Sequence, residues 1–227
     1  MILTTLRYYL NGVKIFVEVS AISIYPFEML DKWQGKRSAS YHHGDLRDAL
    51  VWAARAILEK QGLAALSLRG VARVVGVSPA APYHHFPDKQ ALLDAVAAQG
   101  FDALTAAMEK RMAKKTDPTA RLDASGVGYV TFALENPALF RLMFGNGEQQ
   151  PSANARLREA RDRAYAVLQA AVAATSADGA ADPFACLRLW ALVHGIATLI
   201  LERCVKPADY GLRGGESLTA QLLGAGQ

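Results

Sequence analysis

Apolar residues recur at two different periods along this chain, and the change of period divides it. Val13, Ile15, Val17 and Val19 alternate with Lys14, Phe16, Glu18 and Ser20, a mostly period-two pattern that predicts a strand. From Asp45 the spacing becomes three and four. Leu46, Leu50, Ala53, Ala54, Ile57 and Leu58 share one helical face, and Lys60-Gln61-Gly62 supplies a cationic last turn and a glycine stop. Ser67 predicts the cap of a short second helix, with Val71, Ala72 and Val75 inward and Gly76 at its end. Ser78 predicts the cap of a third helix over 79–85, with Pro79 at the first helical position, where its missing N–H costs nothing. Pro87-Asp88 ends that helix and caps a fourth. The long stripe of the fourth is Leu92, Leu93, Val96, Ala97, Gly100, Leu104 and Met108.

Thr116-Asp117-Pro118 marks a boundary, beyond which helices are predicted over 118–135, 137–144, 152–175, 184–204 and 215–223. Asn136-Pro137, Gly145-Asn146-Gly147, Ala177-Asp178-Gly179 and Pro207 punctuate them. The fold class read from the residues after position 40 is all-α. A three-helix helix-turn-helix domain at 41–90 precedes a larger helical domain at 91–227. Residues 1–40 form an extension and a polar, basic arm. Lys14 and Glu18 interrupt what a secretory signal would need as an unbroken apolar run. The expectation is that translation naturally begins at Met29; an accessory strand or membrane-associating arm is the other reading of residues 1–28.

Composition sharpens this in two places. The 227 residues carry a formal charge of +4, with 25 Lys/Arg against 21 Asp/Glu. Residues 29–115 hold 13 Lys/Arg and 8 Asp/Glu, whereas residues 116–227 hold 10 and 11. A basic excess confined to one module is what phosphate contact requires. The two cysteines, Cys186 and Cys204, both fall in one apolar stretch. If it is one helix they stand roughly 27 Å apart, too far for a disulfide, so two buried, reduced thiols and a cytoplasmic compartment are expected.

Two short helices joined by Gly76-Val77-Ser78 and framed by longer ones have the layout of a helix-turn-helix. Ala72 is small where the helices cross, Gly76 can take positive φ in the turn, and Val75 and Val77 plug the core beneath it. The stretch YHHGDLRDAL…ALSLRGVARVVGVSPAAPYHHFPDKQALLDAV, above all Tyr83 through Lys89, closely resembles the N-terminal domain of the TetR family of transcriptional regulators over residues 41–112. The resemblance implies phosphate contacts from Tyr83, Lys89 and Ser67, and a base or backbone contact from Arg69 near the start of the second helix. It implies base reading by Ser78, Pro79, Ala80, Ala81 and His84, with apolar contacts to thymine methyls sharing the readout. Lys36, Arg37, His42 and Arg47 are candidates for further phosphate contacts. Tyr83 also reads as a packing residue, Arg69 as a solvated charge, and Phe86 as core.

Residues 184–201 contain one charge, Arg188, in eighteen positions, nearly a transmembrane length. Arg188 and His194 would be costly in a bilayer, so the preferred reading is a helix buried on two sides, by its own domain and by a partner subunit. Trp190, His194 and Gly195 resemble a Trp/His/Gly signature of one TetR subgroup. The resemblance implies a homodimer through 184–204 and 215–223, with Gly195 allowing close approach of another helix. Tyr129, Phe132, Phe140, Met143, Trp190 and His194 are candidates for the pocket of a small-molecule effector, and equally for plain core. Arg156, Arg158, Arg161 and Arg163 read as a solvated face paired with Glu159 and Asp162; Glu148 is also read as solvated.

The chain contains no GxSxG, P-loop, dinucleotide fingerprint or CxxC, so no enzyme activity and no cofactor are expected. His42-His43 and His84-His85 resemble metal ligands, but neighbours on a helix diverge by about 100° and no further ligands complete a set, so no metal is expected. The function expected is a DNA-binding regulator, a repressor by resemblance, that binds a palindromic operator as a homodimer and is released by an effector. A DNA-binding dimer without a ligand and a membrane-associated helical protein remain as other readings.

Overall fold

A computed structural model describes residues 4–10, 13–19, 43–145 and 154–224. The chain divides into two units, Met1–His42 and His43–Gln227. The first contains an antiparallel hairpin of β1 (Thr4–Leu10) and β2 (Val13–Val19), in register from Thr4 opposite Val19 to Leu10 opposite Val13. The alternation at 13–19 is thus a strand, and its partner at 4–10 is not signalled by the pattern. Met29, Lys36, Arg37 and His42 lie outside the described residues, as does Glu148.

The second unit holds eight α-helices among the described residues: α1 (His43–Gln61), α2 (Leu68–Val75), α3 (Lys89–Met112), α4 (Pro118–Glu135), α5 (Pro137–Phe144), α6 (Ala155–Thr175), α7 (Pro183–Leu201) and α8 (Gly215–Leu223). Asp88, Asp117, Asn154 and Asp182 cap α3, α4, α6 and α7, each accepting from a backbone N–H in the first turn. Pro118, Pro137 and Pro183 open their helices, where no N–H is required. From α1 onward the described residues are all-α.

The whole predicted stripe of α3 is buried, and α3 lies against α1, α4, α5 and α6. Helix α4 packs in turn on α6, α7 and α8, so α3 and α4 form the centre of the unit. Close approach comes from glycines. A Cβ at Gly128 of α4 would stand 3.0 Å from Ala107 O and Met108 Cα of α3, and one at Gly126 would meet Leu223 and Val193. Gly195 differs: a Cβ there meets nothing within 4 Å among the described residues.

Three expectations need correction. The third helix over 79–85 is a 3-10 turn, Ala81–His84, preceded by a turn at Pro79-Ala80. Pro82 has no N–H to return to the Ser78 carbonyl, so the chain tightens instead: Ala81 N donates to Ser78 O at 3.0 Å and Tyr83 N to Ala80 O at 3.1 Å. Ser78 therefore gives its carbonyl, not a side-chain cap. Helix α7 stops at Leu201 rather than 204, because Arg203 takes φ 60° and Cys204 N turns back to Leu199 O. Cys204 is consequently exposed, whereas Cys186 is buried; both are free thiols. Arg156 and Arg163, seven residues and two turns apart on α6, face α3 and share Asp102 as their ion-pair partner, Arg163 at 2.8 Å, rather than Glu159 and Asp162 of their own helix.

Candidate nucleic-acid interface and aromatic cleft

Helix α2 begins at Ser67, whose Oγ accepts from Gly70 N at 3.1 Å, and ends at Gly76 in the left-handed conformation with φ 79°. That φ is the reason for glycine in the turn. Ala72 is buried, and its carbonyl accepts from both Gly76 N and Val77 N. Beneath the turn Pro82 and Phe86 are buried, and Val75 and Val77 half-buried.

These anchors leave Ser67, Arg69, Ser78, Pro79, Ala80, Tyr83, His84 and Lys89 exposed on the motif, with Ala81 half-buried. Tyr83 is 49% exposed, too open to be a core packing residue. Arg73, exposed on α2 four residues after Arg69, shares its helical face and is missing from the residues singled out by sequence; the i, i+4 spacing is the signal that could have found it. Ser67 spends an acceptor on its cap but keeps its hydroxyl proton. Lys89 opens α3 and donates from Nζ to Leu63 O at 3.2 Å, tying the turn after α1 to the start of α3. An ammonium has three protons, so the contact leaves donors for an anion. Exposed Arg47 stands 5.2 Å over the ring of Phe86.

In the larger helical part, four of the six predicted pocket residues come together. Tyr129 Oη lies 2.8 Å from His194 Nδ1 and accepts from Trp190 Nε1 at 3.4 Å. Phe140 sits edge-on to Tyr129 at 5.9 Å and tilted to His194 at 5.3 Å. Burial pushes the Tyr129 hydroxyl far above the ordinary phenol range, against a smaller lowering by the Trp190 bond, and burial lowers His194 below its usual 6.5. Both are therefore neutral at pH 7. Phe144, which sequence reading missed, completes the cluster at 4.9 Å from both Phe140 and His194; its i+4 spacing from Phe140 was the available signal. Phe132 and Met143 are buried elsewhere in the core, Met143 with its sulfur against Gly100.

The cluster borders a cleft of about 590 Å³, lined by Phe140, Phe144 and His194 together with Leu58, Gly62 and Leu63. Helix α7 has a mean hydropathy of 1.8 over its most apolar stretch and the length to cross a membrane. Only Cys186, Val193, Ile196 and Ala197 of it are buried, so its outer side is bare of the described residues.

Two family models match the chain, together over more than half of it: "Bacterial regulatory proteins, tetR family" at residues 50–96 and "Tetracyclin repressor-like, C-terminal domain" at residues 122–209. A solved structure from a Rhodococcus species, described as a protein with unknown function, is 35% identical. That match covers 83% of this chain and 96% of that one, with a TM-score of 0.66. The TetR family transcriptional regulator PfmR from Thermus thermophilus is 22% identical over 82% of this chain and 95% of its own, with a TM-score of 0.56, and shares the fold. Among curated proteins, the nucleoid occlusion factor SlmA of Marinobacter nauticus is 27% identical over 100 residues, which is 44% of this chain and 51% of that protein. The chain thus matches about half the length of these curated relatives. The helix-turn-helix geometry and both family matches lead to one conclusion: the chain belongs to the TetR family of DNA-binding transcriptional regulators.

Proposed function

We propose that this chain is a cytoplasmic repressor that binds a near-palindromic operator as a homodimer and is released by a small-molecule effector. The observation that carries the dimer is the bare side of α7 and α8. Phe184, Leu187 and Leu199 are 71%, 53% and 45% exposed on α7, and Leu222 is 51% exposed on α8. Gly195, whose added Cβ would meet nothing within 4 Å among the described residues, lies among them, where it suits close approach of a second copy. Contiguous apolar surface of this kind is expected at an interface. Two copies would present two recognition elements to successive major grooves.

In this reading residues 41–90 form the DNA-binding domain and 91–227 the effector-binding and dimerisation domain. Lys89, Tyr83, Ser67, Arg47 and the arm residues Lys36, Arg37 and His42 contact phosphates. Arg69, Ser78, Pro79, Ala80, Ala81 and His84 lie at the bases. Effector binding shifts the population toward an arrangement in which the two heads no longer match the groove spacing, and operator affinity falls by the differential binding energy. Selection of bound sequences from random duplex DNA tests this. A recovered palindrome, bound with a steep salt dependence, supports the reading, and failure to enrich any sequence overturns it. Sedimentation of Leu187→Glu and Leu199→Glu variants tests the dimer, which should dissociate with helix content retained.

A further inference from the structure

The wall of the 590 Å³ cleft is shared by both functional halves of the molecule. Leu58, Gly62 and Leu63 belong to the end of α1 and the turn leading to the helix-turn-helix; Phe140, Phe144 and His194 belong to α5 and α7. Its volume lies in the range that takes up small organic ligands.

Three polar atoms behind the wall fix the position of one proton. An indole N–H only donates, so Trp190 Nε1 donates to Tyr129 Oη. Tyr129 keeps its own proton and holds Oη 2.8 Å from His194 Nδ1. Among the described residues His194 Nδ1 is the one acceptor within reach of the Tyr129 proton, so the hydroxyl donates to the imidazole and Nδ1 is the acceptor. A neutral imidazole that accepts at Nδ1 carries its proton on Nε2. Among the described residues Nε2 has no hydrogen-bond partner, and the ring forms part of the cleft wall.

We propose that the cleft binds an uncharged, largely apolar small molecule with a hydrogen-bond acceptor, a carbonyl or ether oxygen, that takes the proton of His194 Nε2. Its apolar body packs on Phe140, Phe144, Leu58 and Leu63. Charged ligands are poorly matched. The guanidinium at the rim, Arg141, is already bound to Glu202 at 3.0 and 3.1 Å and to the Leu201 carbonyl. The proposal rests on the reading of the chain as an effector-released regulator and adds the ligand chemistry and the route of its action. An occupant touches Leu63 directly, and the Leu63 carbonyl holds Lys89 at 3.2 Å. Occupancy therefore bears on the DNA-binding half without an intervening helix.

Equilibrium dialysis of the full chain against 2-acetylnaphthalene and 2-ethylnaphthalene, matched in shape but not in acceptor, tests the assignment. The ketone should bind about tenfold more tightly, the ordinary effect of one neutral hydrogen bond. In His194→Phe the preference should fall to about one, a ratio that a merely structural role for His194 would not change. Ala138→Phe and Thr198→Trp, which add bulk at two further positions lining the cleft, should weaken both probes about tenfold or more with circular dichroism unchanged. Equal affinity for the two probes, no measurable binding of either, a preference that survives His194→Phe, or native binding in both narrowed variants overturns the proposal. The regulator reading fails separately: no enrichment from random duplex DNA, with the ketone preference intact, removes the regulator and leaves the cleft assignment standing.

Discussion

Arg55 and Asn136, eighty-one positions apart, are joined by a buried hydrogen bond of 2.9 Å from guanidinium Nη2 to the amide oxygen. The bond ties α1, part of the DNA-binding half, to the junction of α4 and α5. Arg55 is 7% exposed; its Nε donates to Glu59 at 2.8 Å, and its Nη1 is buried with no partner among the described residues. Asn136 is held in turn by donation from Nδ2 to Phe132 O at 2.9 Å. A charge this dry tolerates few arrangements, so movement of α1 against the α4–α5 corner breaks a specific contact rather than sliding over a greasy one.

Removing the acceptor should therefore cost more than removing the charge. Asn136→Ala leaves the Arg55 guanidinium buried with Glu59 alone and is expected to lower stability by about 2 kcal/mol. Arg55→Met, which keeps much of the volume and discards the charge, is expected to cost less. Urea unfolding midpoints measure both. A larger loss for Arg55→Met would show that the pair contributes net stability rather than compensating a buried charge.

Glycine substitutions should separate contacts within the chain from those outside it. Gly128→Ala places a methyl 3.0 Å from backbone atoms of α3, which cannot give way as a side chain end could, and overpacking of this kind costs about 1–3 kcal/mol. Gly195→Ala meets nothing within 4 Å among the described residues and gains helix propensity, so the stability of a single chain should rise by up to about 1 kcal/mol. The same change should weaken self-association. Thermal unfolding and sedimentation equilibrium of both variants give the comparison, and a Gly195→Ala chain that associates as the native one does would remove that glycine from the interface.

Helical periodicity makes most of this fold legible: the stripe of α3 is buried as spaced, that of α1 likewise except for half-buried Leu46, and the glycine and proline punctuation falls at the observed ends. What fails has local or distant causes. Pro79 reads as a helix opener only while Pro82 is left out of account, since the missing N–H of Pro82 tightens the same turn. Arg156 and Arg163 find partners on their own helix in a linear pattern because Asp102, some fifty positions away, is invisible there. Arg55 escapes notice for the same reason, since a charged residue on a helix reads as solvent-facing until its partner at Asn136 is known. Residue type and spacing single out Tyr129, Phe140, Trp190 and His194, but their hydrogen-bond order and the closeness of Leu58 and Leu63 require coordinates.

Protonation of His194 should destabilise the fold. Burial lowers its pKa below the ordinary 6.5, so the native state binds fewer protons than the unfolded state as pH falls past that value. The stability from this group is present above about 6.5 and is lost progressively below it, down through the lowered folded value. A protonated ring also donates from Nδ1, which ends the acceptance from Tyr129. Melting temperature compared at pH 8 and pH 5 should fall further in the native chain than in His194→Phe. Equal pH dependence in the two would mean that His194 keeps its ordinary pKa.

The exposed residues of the helix-turn-helix should divide by salt dependence and by sequence preference. Lys89→Ala removes one ammonium and is expected to weaken binding by a similar factor on every duplex, lowering the slope of log affinity against log salt by about one. Arg69→Ala should weaken binding and also relax preference at one base pair if the guanidinium reads guanine, which costs about 1–3 kcal/mol of discrimination. Arg73→Ala, on the same face of α2, should act on the salt slope alone if it reaches only phosphate. Fluorescence anisotropy with a selected duplex and its single-base variants, at several salt concentrations, resolves the three. A Lys89→Ala chain with an unchanged slope would leave that lysine only its bond to the Leu63 carbonyl, a strut between α1 and α3 and not a phosphate contact.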